Sequence, residues 1–322
     1  MHIGSLTMSI CVLLMVICIA DGGLRLNFHE KPRKKDPPMV WKNKTVEEIR
    51  VPELPTRNRN KVRWAVYIHP TEISLEDTKV AHCGGSIISR KHILTAAHCV
   101  SFLIGAVVKF NSLTIHTGRL DLFNDEFHRE QIRTVSSSNI IMHPEYERQN
   151  FNNDIAILVL EDPLVLNEWT KAIAVPTRDI HHIDNKLCRA TGWGKNVEAV
   201  FSSVLLEIRI KKKSCKLPGV LSERVNATTM FCAHKKGRDA CDGDSGGAYV
   251  CRFGRKWIQY GIVSWGPDPN VYGEEKACAF YSGIYVNVAH YSDWINGFIR
   301  NTTKKRKRKP KPSHLKTKRR PF

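Results

Sequence analysis

Apolar residues in this chain gather into short runs rather than long ones. From Val62 onward VRWAVYI, GGSIIS, HILTAAHC, VVKFNSLTIHTG, NIIMH, DIAILVL, KLCRATGWG, SVLLEIRI, GAYVC, WIQYGIVSW and GIYVNV follow one another, separated by turn residues. Runs of this length, rich in β-branched and aromatic residues, predict strands. Many short strands with few helical patterns predict an all-β barrel or sandwich. One stretch departs from this: HYSDWINGFIRN gathers Trp294, Ile295, Phe298 and Ile299 on one helical face, with Ser292 as N-cap. No repeat of fixed period interrupts the series.

The ends read differently. Residues 9–20, SICVLLMVICIA, are apolar or small without charge, and a membrane span needs roughly 17–25 such residues. The run therefore predicts a signal peptide over 1–20 with cleavage after Ala20, hence a secreted, extracellular protein with no transmembrane segment. Residues 21–60 are polar and rich in Pro, Lys and Arg, too poor in apolar area to offset their ordering entropy, and predict a flexible stretch of which 21–50 is read as a pro-segment. With 322 residues the remainder is ample for a buried core.

Cysteine and charge refine this picture. Cys11 and Cys18 lie in the predicted signal; Cys83, Cys99, Cys188, Cys215, Cys232, Cys241, Cys251 and Cys278 remain. An even count in an exported chain predicts four bridges, and counting selects no pairing. No CxxC pair is present, which argues against zinc. The net charge is +19, and residues 304–322 hold eleven Lys or Arg and no acid. A tail of that composition, 301–322, is predicted to be disordered. In isolation it would suit nucleic acid. A signal peptide and disulfides exclude that partner and favour a sulfated glycosaminoglycan or other anionic surface, or a merely solvated tail.

Three residues carry candidate chemistry. Ser245 sits in Cys241-Asp-Gly-Asp-Ser-Gly-Gly247, where glycines let backbone N–H groups converge; a serine hydroxyl becomes a nucleophile only with a base and a stabilised oxyanion. His98 sits in LTAAHC, and Asp154 opens the apolar run DIAIL. Singly, each reads as a turn serine, an ordinary histidine or a strand-start cap. Together, TAAHC, then DIAIL 56 residues later, then GDSGG 91 further on, have the order and spacing of one family.

From about Val62 to Arg300 the chain resembles the trypsin-like serine proteases, with CGGSII, TGWG, MFC, GIVSWG and GIYVNV as supporting motifs. The resemblance implies two antiparallel six-stranded β-barrels with a C-terminal α-helix, over residues 51–300. It implies His98 as general base then acid, Asp154 as its orienting carboxylate and Ser245 as nucleophile, with Gly243 and Ser245 N–H groups as the oxyanion hole. Ser264 matches the serine bonded to the triad aspartate. The matched cysteines pair as Cys83–Cys99, Cys188–Cys251, Cys215–Cys232 and Cys241–Cys278. Asp239, six residues before Ser245, matches the carboxylate at the floor of the specificity pocket, which selects protein or peptide substrates at Arg or Lys. Gly266 and Gly283 match the pocket's wall glycines, Trp265 the next subsite, and Asp242 the pocket entrance. No cofactor is expected, and a monomer is.

The pattern breaks at activation. Family members free an IVGG-like terminus whose ammonium pairs with the aspartate before the nucleophile, here Asp244. No IVGG is present; Arg50-Val51 has the right spacing, although Pro52, Glu53 and Leu54 follow it. Arg119 and Arg129 stand where calcium-binding members carry acids, so no metal is expected. Asn43, Asn226 and Asn301 open glycosylation sequons, the latter two within the mature region. The alternative function is a non-catalytic protease homologue that binds glycosaminoglycan or protein. Chymotrypsin-like or elastase-like specificity is opposed by Asp239.

Overall fold

A computed structural model describes residues 62–71, 82–105, 112–124, 129–177, 179–195, 200–235, 237, 239–267 and 281–307. The predicted signal, pro-segment, Arg50-Val51 and Cys278 lie outside them.

The first half is built on strands β1 (Ala65–Pro70), β2 (Cys83–Ser89), β3 (His92–Thr95), β4 (Ser112–Thr117), β5 (Gln131–Ser136), β6 (Ile140–Met142) and β7 (Ala156–Val159). They form one antiparallel sheet in the order β5-β4-β1-β2-β3-β7-β6. Only the 3-10 turn Ser137–Asn139 separates β5 from β6, the two end strands. That turn links the two ends of the sheet along the chain without a ladder between them, so the first half is an open, barrel-like sheet. The second half is a closed barrel, β10-β13-β12-β11-β8-β9. Its strands are β8 (Leu187–Gly192), β9 (Leu206–Lys213), β10 (Met230–His234), β11 (Ala248–Phe253), β12 (Lys256–Trp265) and β13 (Gly283–Asn287). The expected all-β, two-barrel class is borne out.

Apolar side chains of both halves join in one core. Ile87, Ile93 and Ile157 from the first half and Val250, Ile262 and Val286 from the second are all buried within it. The seam also buries polar groups, which must then pair. Ser86 Oγ donates to Gln259 Oε1 at 2.6 Å, and Gly84 N–H donates to Ser245 O at 2.7 Å. Helix α1 (His98–Gly105) starts three residues after β3, so the run HILTAAHC is a strand only to Thr95. Strand β5 escaped the apolar pattern because only Val135 of its six residues is buried.

Helix α2 (Ser292–Lys307) lays Ile295 fully into the core, with Trp294, Phe298 and Ile299 packed beside it. Ser292 does not cap it as expected: its hydroxyl donates to Pro176 O at 2.8 Å and ties the helix to the preceding loop. The helix also continues past Arg300 to Lys307, into the segment expected to be disordered. Propagation adds one hydrogen bond per residue once a helix is nucleated, Lys and Arg are good helix formers, and cations suit a helix C-terminus.

Three of the implied disulfides are present: Cys83–Cys99, Cys188–Cys251 and Cys215–Cys232. Cys241 is disulfide-bonded as well.

A buried charge network ties β1 to β4 and the loop before β5. His69 Nε2 lies 3.0 Å from His116 Nε2, and His116 Nδ1 lies 2.6 Å from Glu130 Oε1. Arg119 donates to both Glu130 oxygens at 3.0 and 2.9 Å and also holds the Asp121 and Leu122 carbonyls. Burial pushes the Glu130 carboxyl up, but the His116 and Arg119 hydrogen bonds outweigh it and hold the group below its usual range. A depressed carboxyl contributes stability above its unfolded value of about 4.3 that is lost as pH falls through the folded value. Glu130→Gln, which leaves Arg119 buried without its anion, is expected to cost about 3–5 kcal/mol in urea unfolding at pH 7. It should also remove part of the wild-type loss of stability below pH 4.

Candidate functional site

The register between β3 and β7 places two of the predicted residues at one edge. Thr95 pairs with Ala156 at the last rung of the ladder. His98 follows Thr95 by three residues, as the first residue of α1, and Asp154 precedes Ala156 by two. The Cys83–Cys99 bridge anchors α1 next to His98. Before Asp154 the chain turns sharply, with Phe151 at φ 58° and Asn153 at φ 54°. A bulky residue in the left-handed region is strained and persists only where its surroundings hold it. Asn153 is held by hydrogen bonds to Glu145 O and from Tyr291 Oη.

Asp154 is fully buried, and its carboxylate receives three donors. His98 Nδ1 lies 2.7 Å from Oδ2, the His98 backbone N–H donates to Oδ1 at 2.7 Å, and Ser264 Oγ donates to Oδ2 at 2.5 Å. Ser264 comes from β12, so the second barrel holds the carboxylate of the first. With Nδ1–H turned to the aspartate, the Nε2 side of the ring carries the lone pair. His98 is 22% exposed, open enough to meet a ligand.

Ser245 sits in the loop before β11. Gly243 and Gly246 flank Asp244 and Ser245 with φ of 90° and 80°, a region closed to most side chains. At Gly246 a Cβ would also lie 2.3 Å from Gly84 O. The loop is thus packed tightly on β2. No hydrogen bond joins Ser245 Oγ to His98 Nε2 among the described residues. Such contacts are often long without substrate.

Asp244 turns inward. Its oxygens accept from Gly194 N and Cys241 N, each at 2.9 Å. Any side chain at Gly192 or Gly194 would strike the carboxylate, at 2.0 and 2.6 Å. Burial raises Asp244 to about 6. Beside it is a narrow cleft lined by Gly192, Gly194, Lys195, Leu206, Asp239 and Asp244.

Asp239 is also withdrawn from solvent, its side chain 1% exposed. It accepts from Gly283 N at 2.7 Å, Tyr285 Oη at 2.8 Å and Ala240 N at 2.8 Å. Burial raises it to about 7 against those hydrogen bonds. A Cβ at Gly283 would lie 2.7 Å from its Oδ1, whereas a Cβ at Gly266 would enter open space. Asp242 is 54% exposed and pairs with Lys195 Nζ at 2.9 Å, which offsets its charge.

Several of these partners were not legible from motifs. Tyr285 lay inside GIYVNV, but only the fold aims its hydroxyl at Asp239. Phe151 meets the His98 ring edge-on at 5.6 Å and stacks with Trp265 at 6.3 Å, giving the open side of the histidine an aromatic wall. Lys195, directly after TGWG, carried no signal as a partner of Asp242. Among the described residues, Cys83, His98 and Cys99 are the one group of His, Cys, Asp or Glu close enough to share an ion. Both sulfurs belong to a disulfide, so they offer no thiolate. Asn226 is exposed beside Asn152, and Asn301 falls on α2.

Burying an aspartate whose value rises from about 3.9 to about 6 costs about 3 kcal/mol at neutral pH. That stability is fully present below the unfolded value and is lost as pH rises through the folded one. In the uncleaved chain, Asp244→Asn should therefore flatten the stability profile between about pH 4 and 6. Denaturant midpoints across that range check this.

The family model Trypsin matches residues 57–295. Trypsin-1 of Gadus morhua is 31% identical over 229 residues, 68% of this chain and 82% of that protein. Tryptase of Mus musculus is 31% identical over 245 residues, covering 71% and 84%. Ovochymase of Halocynthia roretzi is 36% identical over 236 residues, 70% of this chain but 14% of that much longer protein.

Proposed function

This chain belongs to the trypsin family of serine proteases, and on that footing we propose that it is a secreted endopeptidase cleaving after Arg or Lys. The observation that carries the proposal is the buried Asp154 carboxylate receiving His98 Nδ1 at 2.7 Å and Ser264 Oγ at 2.5 Å. A carboxylate so held selects the tautomer that leaves Nε2 free to accept a proton, and it stabilises the imidazolium that forms.

In this reading His98 Nε2 takes the Ser245 hydroxyl proton as Oγ adds to the scissile carbonyl. The N–H groups of Gly243 and Ser245 receive the oxyanion, each such donor being worth about 2.7–4 kcal/mol. His98 then returns the proton to the departing amine. Water, deprotonated by the same nitrogen, releases the acyl group from Ser245.

Asp239 supports Arg or Lys selectivity. Its burial and its value of about 7 leave a carboxyl that gains strongly when a guanidinium or ammonium approaches. Trp265 and Phe151 would flank the preceding substrate residue. Asp242 at the pocket entrance would disfavour acidic residues flanking the scissile bond, less so because Lys195 offsets its charge.

Activation is assigned to cleavage after Arg50. The new Val51 ammonium would pair with Asp244 and offset the penalty of about 3 kcal/mol that its burial imposes. The same reading includes the signal over 1–20, the pro-segment over 21–50, a fourth bridge Cys241–Cys278, glycosylation at Asn226 and Asn301, and glycosaminoglycan binding by the basic tail.

The test is hydrolysis of an Arg-terminated reporter peptide before and after limited trypsin treatment, with the new amino terminus sequenced. Activity is expected with a terminus at Val51. Asp239→Ser should lower kcat/KM for the Arg reporter about 10⁴-fold while leaving the fold intact. Undiminished cleavage after Arg in that variant would overturn the specificity. A folded, disulfide-bonded protein inactive with every terminus would favour the non-catalytic homologue.

A further inference from the structure

Away from the cleft, one face of the second barrel carries charge of a single sign. Strand β9 reads LEIRIKKK, and its burial alternates so that Arg209, Lys211 and Lys213 are exposed while Ile208 and Ile210 are buried. Residues two apart on a strand share a face, about 6.6–6.8 Å from one another. The three cations therefore stand in a row about 13 Å long.

The neighbouring strands supply nothing to neutralise the row. In β8, Arg189 pairs with Arg209 and Leu187 with Lys211; in β10, His234 pairs with Lys211 and Cys232 with Lys213. The one acid in these three strands is Glu207. It is buried, with Arg189 at 2.6 Å and Arg209 at 3.4 Å. Of the other nearby acids, Asp184 is taken by Lys212 and His181, and Asp239 is withdrawn from solvent with His234 Nδ1 at 3.9 Å. Lys211, Lys213 and Lys216 have no ion pair among the described residues.

The row is also held in place. The Cys215–Cys232 bridge clamps the end of β9 to β10, and Lys216 N–H donates to Ser282 Oγ at 2.9 Å. Burial holds His234 below the usual imidazole value against its hydrogen bond to the Tyr281 carbonyl. The charges of Lys216 and Lys213 add to that lowering, so both ammonium groups act near one spot. Exposed like charges fixed this closely repel one another, and a polyanion laid along them relieves that repulsion.

We propose that the β9 face, with Arg209, Lys211 and Lys213 as its rail and Lys216 extending it, binds a linear sulfated polysaccharide. The even spacing suits a polymer with regularly repeated anionic groups. A folded protein partner would need an apolar anchor, and Leu187 is the one large exposed apolar side chain on these strands. No exposed aromatic ring lies between the cations to stack a nucleic-acid base; Phe231, the one Phe, Tyr or Trp on β8, β9 or β10, is buried. Disulfides set the chain in an oxidising compartment, where the available polyanions are sulfated glycans. The site is separate from the basic tail, and it stands on charge placement rather than on the peptidase reading.

The test is heparin affinity of the full-length protein as a function of NaCl, which reads binding without any activity. Arg209→Gln, Lys211→Gln and Lys213→Gln together should weaken heparin binding at least about tenfold at physiological salt and lower the log–log salt slope by up to about three. The tail is the same in both proteins. A control removing three charges from the first half, Arg133→Gln, Arg148→Gln and Lys171→Gln, should have much less effect. Lys211→Glu alone, at an exposed position, keeps the test readable if the triple variant folds poorly. Equal binding by wild type and the β9 variants would overturn the proposal. So would equal loss in the control, which would mean bulk charge. Single-stranded DNA or polyglutamate bound as tightly as heparin, with the same loss in the variants, would overturn the sulfated-glycan assignment.

Discussion

The Asp154 carboxylate sits at the seam of two barrels with no solvent of its own, and much of the surrounding architecture serves to keep an anion there. A buried carboxylate is costly unless hydrogen bonds replace its water. Two donors come from His98 in the first half, one from Ser264 in the second. The barrels must therefore meet in one register for the charge to be satisfied. The shared apolar core, the Ser86–Gln259 pair and the Gly84–Ser245 backbone bond enforce that register. Separating the halves would strand Asp154 beside a single histidine.

Two further carboxylates, Asp239 and Asp244, are buried a few residues apart with backbone N–H groups as their main partners, and burial raises both. Neither arrangement is an energetic optimum by itself. Asp244 has no ion pair among the described residues, Asp239 has only the His234 imidazole at 3.9 Å, whose charged form burial disfavours, and each adjoins the loop that carries Ser245. In the proposed reading the cation for Asp239 is a substrate side chain and that for Asp244 a new amino terminus. The first-half network of His69, His116, Glu130 and Arg119 makes the contrast: there the buried carboxylate already has its guanidinium, and it lies below the usual range.

The sequence was most informative where a motif is a local necessity. GDSGG needs glycine at the two positive-φ positions around Ser245, and the apolar runs fall on strands β1 to β4, β6 to β9 and β11 to β13. It was weak where a residue's role depends on what the fold brings beside it. Strand β5 is half exposed and shows no apolar run, and β10 is a short run that carried its signal as a family motif only. Tyr285, Phe151 and Lys195 act on partners between 46 and 114 residues distant in the chain, which no local pattern encodes. Ser292 had the residue type of a cap, yet a loop carbonyl from the 170s took its hydroxyl. The basic tail was judged by composition, and α2 reaches into it because a docked helix propagates at little cost.

The central claim is that Ser245 is a nucleophile activated by His98. The most direct measurement is labelling of the trypsin-treated, disulfide-bonded protein with a fluorophosphonate, with the adduct located by mass spectrometry. The account predicts one adduct, on Ser245, that disappears in His98→Ala. A folded protein with a free Val51 terminus that takes no label, or takes it at another serine, would contradict it.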